Sequence, residues 1–377
     1  MTKTKLPVLL ILAALTACNP NGEQAKQPAT ASAASAEKPQ ADQTPLKPHT
    51  DIQGEVVKVQ TARGEFPVPK NPERVAVYDF GALDTLTALG VNVGATVDTT
   101  NLGYLKPAVE KAQHVGTLFE PNYEALNAFK PQLIITGSRA NKAIHQLNEI
   151  APTIEMTADT KNLIASAKER IDAYAQIFGK QAEADKLKAD IDAALAAAKA
   201  AAQGKGTGLV IIVNAGKLSA QSPTSRLGGW IHQGIGITPV DAQMKEGSHG
   251  MPVSFEYLKE KNPDWLFVLD RSAAIGEEGQ AAKDVLNNPL VAETTAWKKG
   301  QVVYLDSGTY LAAGGARQLQ TALKQVTETK CRLLLISRSG SLQDCFEVIR
   351  AAYFIRHPLP ILFHPNRAAS CPRKTPN

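Results

Sequence analysis

Cysteine is scarce in this chain and poorly placed for chemistry: four residues in 377, one at position 18 and three beyond residue 330. Cys331, Cys345 and Cys371 lack metal-ligand spacing and outline no disulfide framework. Histidine is also sparse: between the terminal segments only His114, His145, His232 and His249 are available, again without ligand spacing. A site for bare Zn²⁺ or Mn²⁺ needs several histidines and carboxylates at matched positions, which argues against that class. There is no G-x-S-x-G elbow, H-E-x-x-H pair or Walker-type loop. Gly204-Lys-Gly-Thr-Gly208 has neither the spacing nor the preceding strand of a phosphate loop. No spacing supports a triad of Ser225, His249 and Asp270, so the chain does not read as an enzyme. An excess of one charge is missing as well. The formal net charge is +5; the segment from Cys331 onward, with six arginines and Lys374 against Asp344 and Glu347, carries a net +5 by itself. The remainder is neutral, and the alkaline pI gives no reason to expect a nucleic acid partner.

The two ends differ from the middle. Lys3 and Lys5 precede an apolar run from Leu6 to Leu15, and the segment closes on Leu15-Thr16-Ala17-Cys18. The run is too short to span a bilayer and has the layout of a secretory signal, assigned to residues 1–18. Leu-Thr-Ala-Cys resembles a bacterial lipobox, which implies cleavage before Cys18 and acylation of its thiol. Each buried methylene of such a chain contributes about 0.8 kcal/mol toward membrane anchoring. Residues 19–53 are rich in Ala, Gln, Lys, Ser and Pro and hold no aromatic residue; they cannot bury enough apolar surface to order themselves and read as a tether.

Between the ends an internal repeat is visible. YEALNAFKPQLIITGSRA, residues 123–140, aligns with FEYLKEKNPDWLFVLDRSA, residues 255–273. Glu124 matches Glu256, Leu126 matches Leu258, Pro131 matches Pro263, and Arg139 matches Arg271. Each unit predicts a short helix opened by its glutamate, a proline-marked stop, a buried strand, and an arginine at the strand's carboxyl end. Strand-like runs precede both units, Arg74–Tyr78 and Gly208–Val213. Residues 162–178 carry apolar residues at helical spacing and stop at Gly179, and 182–203 is an alanine-rich amphipathic stretch. The expected fold is α/β: two Rossmann-like lobes with mainly parallel sheets, joined by a long helix, with a ligand cleft between them. The expected boundaries are 54–160 for the first lobe, 161–179 for the inter-lobe helix and 180–330 for the second lobe. In open α/β sheets ligands sit beyond the carboxyl ends of the strands, so Arg139 and Arg271 should face one cleft from opposite sides.

This layout resembles the helix-linked class of periplasmic substrate-binding proteins that serve iron–siderophore and vitamin B12 importers, and within it the lipoproteins that bind ferric enterobactin and related catecholates. The resemblance covers about residues 54–328. It rests on Asn71-Pro-Glu-Arg-Val-Ala76, on Glu120-Pro-Asn-Tyr-Glu124 before the first repeat unit, and on Ser248-His-Gly250 before the second. Residues 331–377 depart from it, as a frameshifted or read-through terminus would.

A guanidinium stays charged and can lie over aromatic rings. Three arginines converging in a concave site would therefore suit a ferric tris-catecholate, which carries three negative charges and exposes aromatic faces. Arg139 and Arg271 come from the repeat. Arg226, in Gln221-Ser-Pro-Thr-Ser-Arg-Leu-Gly-Gly-Trp230, is added mainly by the resemblance. The resemblance further implies that His249 and Tyr310 ligate Fe³⁺ when a tetradentate siderophore leaves two positions open. It also implies that Glu124 and Glu256 dock onto an inner-membrane ABC permease. The expected ligand is Fe³⁺ as a siderophore complex, with no permanently bound cofactor and the protein a monomer. Haem, cobalamin or another iron chelate are the alternative ligands.

Overall fold

The structure is a computed structural model that describes residues 44–204, 206–244 and 250–336; Cys18 and His249 lie outside the described residues. The first sheet follows an antiparallel hairpin of β1 (Val56–Thr61) and β2 (Gly64–Pro69). Its strands are β3 (Val75–Tyr78), β4 (Ala95–Thr96), β5 (Gln113–His114), β6 (Leu133–Thr136) and β7 (Thr153–Glu155). They pair in the order β5-β4-β3-β6-β7, parallel throughout. Every residue of β3, β6 and β7 is buried, as expected of parallel strands covered on both faces.

The second sheet contains β8 (Thr207–Asn214), β9 (Lys217–Ala220), β10 (Thr238–Pro239), β11 (Met251–Val253), β12 (Trp265–Asp270) and β13 (Val302–Leu305). Its order is β11-β9-β8-β12-β13, with β10 beside the start of β8. β8, β12 and β13 run parallel, while β8 and β9 form an antiparallel hairpin that β11 extends. Two successive helices, Leu163–Phe178 and Gln181–Ala202, connect the sheets. Gly179 ends the first of them in the left-handed region, φ 64°, a conformation that costs glycine nothing.

The repeat is a structural one. In the first unit Asn122 caps the helix Tyr123–Phe129 by accepting from the Ala125 N–H at 3.0 Å. In the second, Ser254 caps Phe255–Lys261. Both helices stop at a left-handed residue, Lys130 (φ 54°) and Asn262 (φ 41°), directly before the repeat's proline. Proline disfavours helical backbone in the residue preceding it, so the chain must turn there. β6 and β12 follow.

The last helix, Ala316–Ile336, returns to the first lobe. It packs along Gln181–Ala202 and against the first-lobe helix Phe80–Ala88. Its opening N–H groups are received there: Thr85 Oγ1 accepts from Ala316, and the Asp84 carboxylate accepts from Arg317 (2.8 Å) and Gln318 (3.0 Å). One hydrophobic cluster accordingly runs through both lobes, joining Val77, Leu133 and Ile171 to Phe267, Val303 and Leu323. Among the described residues no helix is long and apolar enough to cross a membrane.

Candidate ligand-binding site

β12 is apolar and fully buried from Trp265 to Leu269. It ends where Asp270 turns its carboxylate to backbone, accepting from Ala273 N–H at 3.0 Å and Ala282 N–H at 2.7 Å. Asp270 is thereby spent as a helix cap. Arg271, first residue of the helix Arg271–Ile275, is left at the carboxyl edge of the sheet. Its Nη1 donates to Asn214 Oδ1 at 3.0 Å, at the equivalent end of β8, and its Nε donates to the Tyr310 hydroxyl at 3.2 Å. Glu277 lies 3.9 Å away, at the edge of ion-pair range.

Tyr310 is the residue on which the arginines converge. It sits in the short helix Gly308–Leu311 beyond the carboxyl end of β13. The Arg226 guanidinium carbon stands 4.7 Å from its ring centroid and that of Arg271 5.9 Å, both within cation–π range. Arg139 arrives from the first lobe, in the 3₁₀ turn Ser138–Ala143 that follows β6. It donates through Nη2 to the Tyr310 carbonyl at 3.1 Å and through Nη1 to the Leu311 carbonyl at 3.0 Å. The three arginines and the tyrosine singled out in the sequence thus form one group, with the carboxyl edges of the two sheets facing across it. Burial, and then the neighbouring Arg139 charge, push the Arg226 pKa below its ordinary value; an anion placed beside the pair acts in the opposite direction and favours the charged form.

Glu124 and Glu256 are exposed, each in the first turn of its repeat helix. They stand at the opposite end of the repeat unit from the arginines in sequence, yet at the same edge of the sheet in space. The helices run back between parallel strands, so each helix start and each strand end share the carboxyl edge.

Two cleft residues had no counterpart in the sequence reading. Arg170, on the inter-lobe helix, is only 6% exposed. Asp79 follows β3 and caps the helix Phe80–Ala88 through Ala82 N–H at 2.8 Å. The two approach to 3.5 Å. Asp79 lies so close to Gly137 that a Cβ there would sit 2.2 Å from its Oδ2, which explains the glycine directly after β6. Arg170 did leave a sequence signal: it falls on the apolar stripe of its helix with Ala167, Ile171 and Tyr174, where a charged residue is out of pattern. Among the described residues no three His, Cys, Asp or Glu side chains gather into a metal-holding group. The described histidine nearest the second sheet's core, His232, is buried and bonded to the Ile237 carbonyl at 2.8 Å.

Two α/β lobes with facing carboxyl edges, backed by inter-lobe helices and lined by arginines, define a ligand-binding cleft. The chain belongs to the Periplasmic binding protein family, whose model matches residues 75–309. It is 39% identical over 277 residues to the petrobactin-binding protein YclQ of Bacillus subtilis, covering 72% of this chain and 87% of that one. The crystal structure of YclQ superposes with a TM-score of 0.69 at 37% identity, covering 74% of this chain and 99% of that chain. The periplasmic catecholate-siderophore binding protein VctP of Vibrio cholerae gives a TM-score of 0.69 at 28% identity, covering 73% of this chain and all (100%) of the other.

Proposed function

We propose that this protein captures ferric catecholate siderophores, of the enterobactin type, between its lobes and delivers them to an ABC permease for iron uptake. The observation that carries the reading is the convergence of Arg139, Arg226 and Arg271 on Tyr310. Such a cluster offers positive charge and flat guanidinium faces together, the two features a trianionic complex with catechol rings requires. The relatives named for petrobactin and for catecholate siderophores support the same class of cargo. Tyr310, and His249, two residues ahead of β11 in the sequence, are assigned to iron when the chelate is tetradentate. Fe³⁺ is a hard cation that favours a phenolic oxygen. Glu124 and Glu256, at the same edge as the ligand, are assigned to the permease contact. Acylated Cys18 is assigned to membrane anchoring in the periplasm; Cys18→Ser should move the protein to the soluble fraction, and a variant still pelleting with membranes would remove the anchor.

The test is a titration of the purified protein with ferric enterobactin and with a neutral ferric hydroxamate at one ionic strength, since salt screens charge effects. Ferric enterobactin should carry its charge-transfer colour through gel filtration with the protein and bind at least tenfold more tightly. Equal binding of the neutral complex, or loss of colour on the column, would overturn the reading.

A further inference from the structure

The foot of the cleft holds a cavity of about 70 Å³ that Arg139, Arg170 and Arg226 line together with Asp79, Thr157 and Leu311. Whole ligands of this kind occupy sites of roughly 300–1,000 Å³, and a water needs about 10–15 Å³ on the same scale. The cavity is therefore the size of one polar arm, not of a chelate. Its charge is unbalanced. Three guanidiniums face one carboxylate, and that carboxylate already caps a helix. Arg170 is nearly fully buried beside the Tyr174 hydroxyl; its ion pair with Asp79 is a long 3.5 Å, and its Nε and Nη2 make no hydrogen bond of good geometry. A buried guanidinium without its hydrogen bonds is costly unless something arrives to supply them. Arg139 and Arg226, held from above by Tyr310, retain donors of their own, because each fork carries five N–H groups.

Resting on the catecholate reading above, we propose that Arg170, with Arg139 and Arg226, forms a subsite for a free carboxylate arm of the ferric chelate. Its size admits that group, the forked donors suit its two oxygens, and one added negative charge halves the cluster's net charge, from +2 to +1. The iron and its catechols lie above, at Tyr310, Arg226 and Arg271. Arg170 then selects among catecholates by what they carry besides catechol.

The experiment uses two synthetic ferric catecholates that differ only in one pendant group, a free carboxylate or its primary amide, titrated against the full-length protein. The carboxylate form should bind at least tenfold more tightly to the wild type. Arg170→Gln should bring the two affinities within about threefold, whereas Arg271→Gln should weaken both and preserve their ratio. A wild-type ratio near one overturns the subsite without any variant, and so does a ratio unchanged by Arg170→Gln. Should the buried glutamine prevent folding, Arg170→Lys keeps the charge and loses the fork. The ratio should then fall at least threefold, and an unchanged ratio overturns the proposal. Failure of both complexes to bind would instead remove the catecholate reading, and the subsite with it.

Discussion

The two repeat units share a pattern and end on equivalent arginines, but those arginines act differently. Arg271 stays within its own lobe, fixed to Asn214 and to the Tyr310 hydroxyl; it forms a wall of the cleft. Arg139 leaves its lobe and donates to the carbonyls of Tyr310 and Leu311, 171 and 172 residues away in sequence; it spans the cleft. The cause is local. β12 continues to Asp270 and passes directly into an α-helix, whereas β6 stops at Thr136, and Gly137 leads into a more tightly wound, more extended 3₁₀ turn. A shared sequence pattern fixes where a side chain starts, and the exit from the strand decides how far it reaches.

The largest expected effect tests whether the lobes are separate at all. Phe267→Ala in β12 and Leu133→Ala in β6 each empty a fully buried site, and each should cost about 3–4 kcal/mol. Because the core is continuous, either variant should lower one common unfolding transition. Two calorimetric transitions, with only one shifted by each variant, would show two independent lobes.

Asp84 comes next, since it belongs to the first lobe and receives the helix that closes the second. It is completely buried and accepts from the Tyr104 hydroxyl (2.7 Å) as well as from the helix start. Desolvation outweighs those hydrogen bonds and pushes its pKa up to about 6 from 3.8. The folded protein therefore holds this proton more tightly than the unfolded chain. Its contribution to stability is greatest below about pH 4 and declines until about pH 6, spanning about 3 kcal/mol. Asp84→Asn should flatten that slope in urea denaturation at pH 4 to 7; an identical slope in the variant would place the titration elsewhere.

The arginine comparison follows. Arg271→Gln should weaken a trianionic ferric catecholate by about ten- to a hundredfold, the range for one or two charge-assisted contacts, and leave the ligand-free shape unchanged. Arg139→Gln should bring a similar loss and also enlarge the ligand-free radius of gyration in solution scattering, because it removes the link across the cleft. Equal radii in the two variants would break the distinction. The smallest effects belong to Glu124→Ala and Glu256→Ala, which should leave melting temperature and solution affinity unchanged while reducing uptake by cells. Full uptake by the double variant would end their assignment to the permease.

Much of this was legible where the determinants are local. The repeat, the Gly179 stop, the short helices opened by Glu124 and Glu256, and the apolar strand delivering Arg271 all follow from residues close together in sequence. What escaped depends on distant partners. Nothing near Asp84 announces that it will accept from Arg317, 233 residues later. Nothing near Gly137 announces the Asp79 carboxylate pressed against it. Lys130 and Asn262 adopt a conformation usually left to glycine, which the prolines behind them hint at but do not specify. Arg170 was hidden because the helical period was read for its apolar members and not for the one that breaks the stripe.

The return of the Ala316–Ile336 helix to the first lobe also orders events in time. A chain emerging amino terminus first exposes Asp84 long before Arg317 and Gln318 exist outside the ribosome or translocon. Until they arrive, a carboxylate meant for a water-free seam has no backbone donors, and the helix Phe80–Ala88 lacks the surface it packs against. The first half of the protein should then wait, collapsed but incomplete, for nearly the whole chain to follow, and chains cut before Ala316 should remain open to proteases in both lobes.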